Sequence, residues 1–344
     1  MIQTKRRLPA EWEEQDGVLM AWPHSETDWG SDLDAVRRVT IDIAREITKS
    51  ERLVVAAPDP EEAWRALRNG GISPDRVQVY SIETNDTWAR DFGPITIIEN
   101  NEPVLLDFGF NGWGLKFPAD LDNQITRKLH KHRAFGSRRL ETVGLVLEGG
   151  SIESDGRGTI LTTAQCLLSP NRNPHLDRSD IEAFFIEKLG AERVLWIEAG
   201  HLAGDDTDAH VDTLARFCPG DTIVYTACDD AADEHCAPLR EMAEGLKSLR
   251  TAEGRPYGLI PLPWPSACHD EQGQRVPATY ANFLIINGSV LVPTYGCKQD
   301  SEAIEIIARV FPDRRVTGIP CLPLLTGRGS LHCITMQIPK GVLA

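Results

Sequence analysis

Five times along this chain a helical stretch accompanies a β-hairpin or a strand of one, and that recurrence restricts the available folds more than any other feature. Apolar residues Leu33, Val36, Val39, Ile43 and Ile47 share one helical face. The same period returns at Ile181, Phe184, Phe185 and Leu189, and again at Ile304, Ile307 and Val310. Between the helices lie paired apolar runs joined by turn residues. Pro94-Ile-Thr-Ile-Ile turns at Glu99-Asn-Asn-Glu into Pro103-Val-Leu-Leu-Asp, and Gly150-Ser-Ile-Glu-Ser turns at Asp155-Gly-Arg-Gly into Thr159-Ile-Leu-Thr-Thr. Val211-Asp-Thr-Leu-Ala-Arg-Phe turns at Pro219-Gly-Asp into Thr222-Ile-Val-Tyr, and Asn282-Phe-Leu-Ile-Ile turns at Asn287-Gly into Ser289-Val-Leu-Val-Pro. A fifth strand is predicted over Leu331-His-Cys-Ile-Thr-Met-Gln-Ile.

These starts recur every 50 to 70 residues or so, a spacing that suits a ring or array of related units. Each unit alone leaves an apolar face exposed, and closing a ring buries those faces together. No Pro/Ser-rich linker or break in composition divides the 344 residues, so a single α/β domain over 1–344 is expected, with 41% hydrophobic residues to supply its core. No apolar run approaches the roughly 18 residues of a membrane helix. The basic start, Met1-Ile-Gln-Thr-Lys-Arg-Arg, runs into Leu8-Pro-Ala-Glu-Trp-Glu-Glu without the apolar stretch of a signal peptide. Both features point to the cytoplasm. A formal charge of −15 disfavours nucleic acid and favours small cations. Eight cysteines without a CxxC pair are expected as free thiols rather than a disulfide scaffold or zinc site.

Polar and reactive residues stand at or just before the first strand of each unit: Asp91, Glu148, His210 with Asp212, Asn282, and Cys333. In a closed ring equivalent ends face one axis, so residues scattered along the chain can meet in one cleft.

Asp205-Asp-Thr-Asp-Ala-His-Val-Asp212 has its own logic. Taken as a strand, it puts Asp206, Asp208, His210 and Asp212 on one face. Burying that set requires a cation. A solvated acidic loop, a site for a cationic substrate and a metal site all remain open, although neither the EF-hand nor the HExxH pattern fits. Cys333 follows the glycine-rich Thr326-Gly-Arg-Gly-Ser-Leu, where backbone can approach a ligand closely. A thiolate suits attack on a carbon–nitrogen centre, and a small buried thiol in a strand is the plain alternative. His332, its neighbour in a strand, faces away and serves structure, which leaves His210 as the candidate base. Arg90 is expected to pair with Asp86 and leave Asp91 free. Among the tryptophans, Trp88 and Trp113 are the candidates for contact with a cation. Glu148-Gly-Gly and Gly156-Arg-Gly lack the patterns that hold phosphates or dinucleotides.

Together, Pro9-Ala-Glu-Trp with Ala21-Trp-Pro, Asn85-Asp-Thr-Trp-Ala-Arg-Asp-Phe-Gly-Pro, Leu147-Glu-Gly-Gly-Ser, Thr207-Asp-Ala-His-Val-Asp, Tyr280-Ala-Asn-Phe and Leu331-His-Cys-Ile-Thr resemble the agmatine deiminase family, also called the bacterial-type peptidyl-arginine deiminase family. The set spans nearly the whole chain in family order. The resemblance implies the pentein fold, a five-fold pseudo-symmetric α/β propeller, and hydrolysis of a guanidine with no metal or organic cofactor. It implies Cys333 as nucleophile, His210 as general acid and then base, Asp91 and Asp212 as guanidinium holders, and Glu148 as a holder acting with His210. For agmatine the product is N-carbamoylputrescine, on the route to putrescine. Trp88, Trp113 and Arg328 join Asp91, Asp212 and Glu148 as expected substrate contacts. Ala209 stands where the family has glycine, and Arg328 interrupts the glycine run. Either departure bears on substrate choice among agmatine, arginine and peptidyl-arginine. An amidinotransferase using the same site, a guanidine-binding protein without activity, and a metal hydrolase are the competing readings. A small guanidine is the expected partner, with no membrane or nucleic acid, and a homo-oligomer is compatible with the sequence.

Overall fold

The computed structural model describes residues 5–343; residues 1–4, the start of the basic segment noted above, and residue 344 lie outside the described residues. Five sheets share one construction, in which two antiparallel strands are followed by a helix and a third strand parallel to the second. In the first unit Ile95–Glu99 pairs antiparallel with Glu102–Gly109, and Glu102–Gly109 pairs parallel with Arg139–Val146. The second unit uses Ile152–Ser154, Thr159–Thr163 and Arg193–Ile197. The third uses Ala215–Cys218, Thr222–Thr226 and Gly258–Leu262. The fourth uses Leu284–Ile286, Ser289–Thr294 and Arg315–Pro320. A parallel neighbour cannot be reached by a tight turn, so each unit returns its chain through a helix.

The fifth unit joins the two ends of the chain. Its first strand, Met336–Pro339, pairs antiparallel with Gln15–Ala21 in the register Met336 to Leu19. Gln15–Ala21 then pairs parallel with Arg52–Ala57 after the helix Leu33–Ile47. That helix buries Val36, Val39, Ile43 and Ile47, each worth about 1.5–3 kcal/mol when fully withdrawn from water. The expected helices near Ile181 and Ile304 span Arg178–Leu189 and Asp300–Val310. The former starts with a capping box of Asp177 and Asp180 and ends at left-handed Gly190, φ 69°.

Two strand readings need correction. The predicted strand over 331–338 begins only at Met336, and Leu331 to Ile334 form turns. The strand read from Val211 begins at Ala215, after a tight turn at Val211–Thr213. In both places side chain to backbone hydrogen bonds, such as Thr213 Oγ1 to His210 O at 2.8 Å and Thr335 Oγ1 to His332 O at 3.0 Å, favour the turn over the ladder.

The turns ahead of the first strands are stitched to one another around an axis. Arg90 N–H donates to Cys333 O at 3.1 Å, and Gly150 N–H to Asp91 Oδ1 at 3.0 Å. Thr163 Oγ1 donates to Ala209 O at 2.7 Å, Asn282 Nδ2 to Asp212 Oδ2 at 3.3 Å, and His332 N–H to Asn282 Oδ1 at 2.9 Å. Each link joins neighbouring units, and the Arg90–Cys333 link closes the fifth onto the first. No helix among the described residues is long and apolar enough to cross a membrane.

Candidate active site

Asp91, Glu148, His210, Asp212, Asn282 and Cys333 all fall two to five residues ahead of a unit's first strand. The ring therefore delivers them to one end of its axis. Asp91 lies on the short helical turn Ala89–Phe92, Glu148 precedes the turn Gly149–Ser151, and Asp212 lies within Val211–Thr213. Gly150 measures their convergence. A Cβ at that position would lie 2.6 Å from His210 Nδ1, 2.8 Å from Asp91 Oδ1 and 3.2 Å from Asp212 Oδ2. Only glycine leaves room for the three groups to close on one another.

Cys333 Sγ lies 3.9 Å from Asp212 Oδ2 and 3.2 Å from Asn282 Nδ2. Asn282 Oδ1 also accepts the backbone N–H groups of His332 and Cys333, which splints the nucleophile's turn. Burial pushes the Cys333 thiol well up, and the charges of Asp212 and Asp91 push it further. Burial and these charges disfavour the thiolate, and a cation beside Cys333 favours it.

A cavity of about 290 Å³ opens over Cys333 and Asp91 and is walled by Trp88, Trp113 and Phe117. Glu148, His210 and Asp212 back this floor and are 0–1% exposed. Trp113 donates its indole N–H to Asp91 Oδ2 at 2.9 Å, and its ring is held edge-on between Phe110 and Phe117. Gly112 through Leu115 all have positive φ, as do Asp208, Ala209 and Arg328, so strained backbone is concentrated around the cleft. At the mouth Asp28, Asp86, Asp205 and Asp206 face one cationic lining residue, Arg328. Burial pushes Asp86 up to about 6.

Three buried polar atoms here lack a hydrogen-bond partner: Glu148 Oε2, His210 Nε2 and Asp212 Oδ1. An unpaired buried acceptor costs about 1–3 kcal/mol, so the two carboxylate oxygens are primed to take donors. Glu148 Oε1 is already held by Arg172 Nε at 3.0 Å, and Arg172 Nη2 donates to Thr207 O at 2.9 Å. Glu148, Cys166 and His210 could hold a metal ion, as could Glu11, Glu153 and His332. Arg172 pairs with Glu148 in the first group and Arg216 with both glutamates in the second, so each has a cation already.

Three sequence expectations are corrected at this site. The segment 205–210 is a loop, and Asp206, Asp208, His210 and Asp212 do not share a face. Asp205 accepts Thr207 N–H at 2.9 Å and Ala209 N–H at 2.7 Å, bending the chain, while Asp208 pairs with half-exposed Lys116 and with the buried Arg172. Arg90 does not pair with Asp86. It is buried against Gln337 and His332 O, and Asp86 instead takes the Trp88 indole N–H at 2.9 Å. His332 does not face away from the site, because it stands on a turn and its Nδ1 is 2.7 Å from Asp212 Oδ2. Gly327 and Gly329 line the cavity beside Cys333, and a Cβ at either would also enter the Trp88 ring at 2.8 or 2.3 Å. Glu11, Cys166 and Arg172 were not singled out beforehand. Glu11 lies in the Pro9-Ala-Glu-Trp motif, which was a signal; the other two carried none.

A closed ring of five such units with its reactive groups on the axis is the pentein fold, a mixed α/β architecture. The model of the Porphyromonas-type peptidyl-arginine deiminase family matches residues 7–339, and the chain belongs to that family. An agmatine deiminase of Pseudomonas putida is 35% identical over 97% of this chain and 96% of its own. A Porphyromonas gingivalis structure, provisionally described as an arginine deiminase, has 47% identity and a TM-score of 0.93, covering 99% of this chain and 100% of that one. A C. jejuni agmatine deiminase solved with substrate bound has 35% identity and a TM-score of 0.92, covering 99% of this chain and 98% of that one.

Proposed function

We propose that the chain, acting as one catalytic domain over 1–344, hydrolyses agmatine to N-carbamoylputrescine and ammonia, a step toward putrescine. The observation that carries this is the pair of unpartnered carboxylate oxygens, Glu148 Oε2 and Asp212 Oδ1, buried around the Cys333 thiol. A guanidinium offers planar paired N–H donors that match such acceptors and brings the positive charge their burial demands. The tail of agmatine ends in an ammonium, and the acidic mouth suits it. Arg328 is paired there with Asp270 at 3.1 Å, which removes the obvious partner for a substrate carboxylate. The agmatine deiminases among the relatives support the same substrate.

Asp91, Asp212 and Glu148 hold the guanidinium, with Trp88 and Trp113 flanking it. The Cys333 thiol releases its proton to solvent as the cation enters, and the thiolate bonds to the guanidinium carbon. His210 as imidazolium gives its proton to one nitrogen, the carbon–nitrogen bond breaks, and ammonia leaves a thiouronium cation on Cys333. Neutral His210 then takes a proton from water as the hydroxyl adds to that carbon. Collapse expels the thiolate and a proton, giving the ureido product, and the proton leaves with ammonia as ammonium. His210 is charged at the outset, as its role as acid requires, being held up at about 10.

The test is a product assay across agmatine, free arginine, peptidyl-arginine and related guanidines, scoring ureido product and ammonia without an added amine. Agmatine as the best substrate is the expected result. A requirement for an amine acceptor assigns an amidinotransferase instead.

A further inference from the structure

The buried charges behind Cys333 form a chain running from Asp212 through His332 to Glu11 and Arg216. His332 Nδ1 is 2.7 Å from Asp212 Oδ2, and His332 Nε2 is 2.7 Å from Glu11 Oε2, with Arg216 Nη2 3.1 Å from that same nitrogen. A neutral imidazole donates at one nitrogen only and turns a lone pair toward the other carboxylate. An imidazolium donates at both. Glu11 is itself fixed, since Oε2 receives Arg216 Nη2 at 2.7 Å and Oε1 receives the Ile285 N–H at 2.9 Å. Arg216 also binds Glu153 and donates to the carbonyls of Ala281 and Phe283, at 3.0 and 2.6 Å.

Charge balance points the same way. The buried anions are Asp212, Glu11 and Glu153, and the guanidiniums among them are Arg216 and Arg90, the latter 4.0 Å from Glu11. With His332 neutral, one buried negative charge lacks a counterion; with His332 charged, three anions face three cations. Unpaired buried charge is among the costliest arrangements a protein core can hold.

We infer that His332 and Glu11 are positioning residues for this reaction, with Glu11 holding His332 doubly protonated and His332 holding Asp212 as an oriented carboxylate. The inference rests on the guanidine-hydrolase reading above. It gives a purpose to the Pro9-Ala-Glu-Trp motif, which the catalytic groups alone leave unexplained. It also distinguishes the two aspartates that face the guanidinium. Asp212 Oδ2 is tied by His332 and Asn282 and its Oδ1 stays free for substrate. Besides His332, the titratable groups around Asp212 are His210, Asp91 and Cys333, with Arg216 and Arg90 beyond; His332 itself faces Asp212, Glu11 and the Arg216 guanidinium, with Glu153 next to them. Burial works to raise Asp212, yet the hydrogen bond and charge of His332 leave it lowered, whereas Asp91 is pushed up to about 6.

Glu11→Gln keeps the shape and removes the charge. Loss of the relay weakens a ground-state contact, so KM for agmatine should rise about tenfold with kcat changed less than about threefold. The double variant Glu11→Gln/His332→Gln should be no worse than His332→Gln alone if the pair acts as a unit. Independently of turnover, nitrogen-15 shifts at about pH 8 should show both ring nitrogens of His332 protonated in the wild type and one in Glu11→Gln. A neutral His332 in the wild type, or an unchanged KM in a folded Glu11→Gln, overturns the relay. If the wild type turns over no guanidine, the functional reading fails while the nitrogen-15 measurement still decides the relay.

Discussion

Asp91 Oδ1 and His210 Nδ1 face each other across 3.6 Å, and both side chains are buried. Burial pushes Asp91 up to about 6 even with His210 beside it. Burial alone lowers His210, but Asp91, Cys166 and Glu148 together carry it to about 10. Between those limits the pair is a carboxylate facing an imidazolium, the state the reaction needs at its start.

The pH profile follows from that pair. As pH climbs through about 6, Asp91 loses its proton and becomes able to bind the guanidinium, so kcat/KM should rise. Through about 10 His210 loses the proton destined for ammonia, so kcat/KM should fall. Steady-state kinetics from about pH 5 to 11 check this, and a wild-type profile flat through the acid limb contradicts the role of Asp91.

Gly150→Ala should be among the most damaging small substitutions in the chain. Its methyl group would lie 2.6 Å from His210 Nδ1 and 2.8 Å from Asp91 Oδ1, forcing the acid and the carboxylate apart. Displacing reacting groups by about 1 Å costs about a hundredfold in rate, so kcat/KM should drop at least that far. A variant with wild-type kinetics would show that the two groups need not meet.

The four complete hairpins were legible because alternating apolar residues and turn signals are local. The fifth was half hidden, since the partner of Met336 is Leu19 at the other end of the chain. The placement of Asp91, Glu148, His210, Asp212 and Cys333 was legible as a repeated position in a ring. The direction of Arg90 was not, because its partners Gln337 and His332 lie more than 240 positions away, beyond what a nearby Asp86 suggests. The strand pattern across 205–212 misled, because Asp205 captures its own loop, and no periodicity reports such a turn. Ala209 and Arg328 stood out as departures from glycine, and both have left-handed backbone, with φ of 65° and 66°.

Arg328 pairs with Asp270 and with Gln274, each at 3.1 Å, rather than standing free at the cleft. Its residual repulsion of an ammonium tail at a solvated mouth is about 1 kcal/mol or less. Arg328→Gly should therefore leave agmatine turnover unchanged or improved. Comparing agmatine and arginine kinetics in both proteins checks this. A selective loss of arginine turnover, with arginine the better wild-type substrate, overturns the agmatine assignment and leaves the chemistry standing.

The central claim is that Cys333 carries the substrate carbon through the reaction. The direct measurement is mass spectrometry of the Cys333 peptide after acid quenching during agmatine turnover, alongside product analysis of wild type and Cys333→Ser. Serine lacks comparable acidity, so the variant should fold and form neither ureido product nor ammonia. The wild-type peptide should carry the thiouronium mass on Cys333, with the other seven cysteines unmodified. Turnover by Cys333→Ser, or an adduct on a different cysteine, would contradict the account.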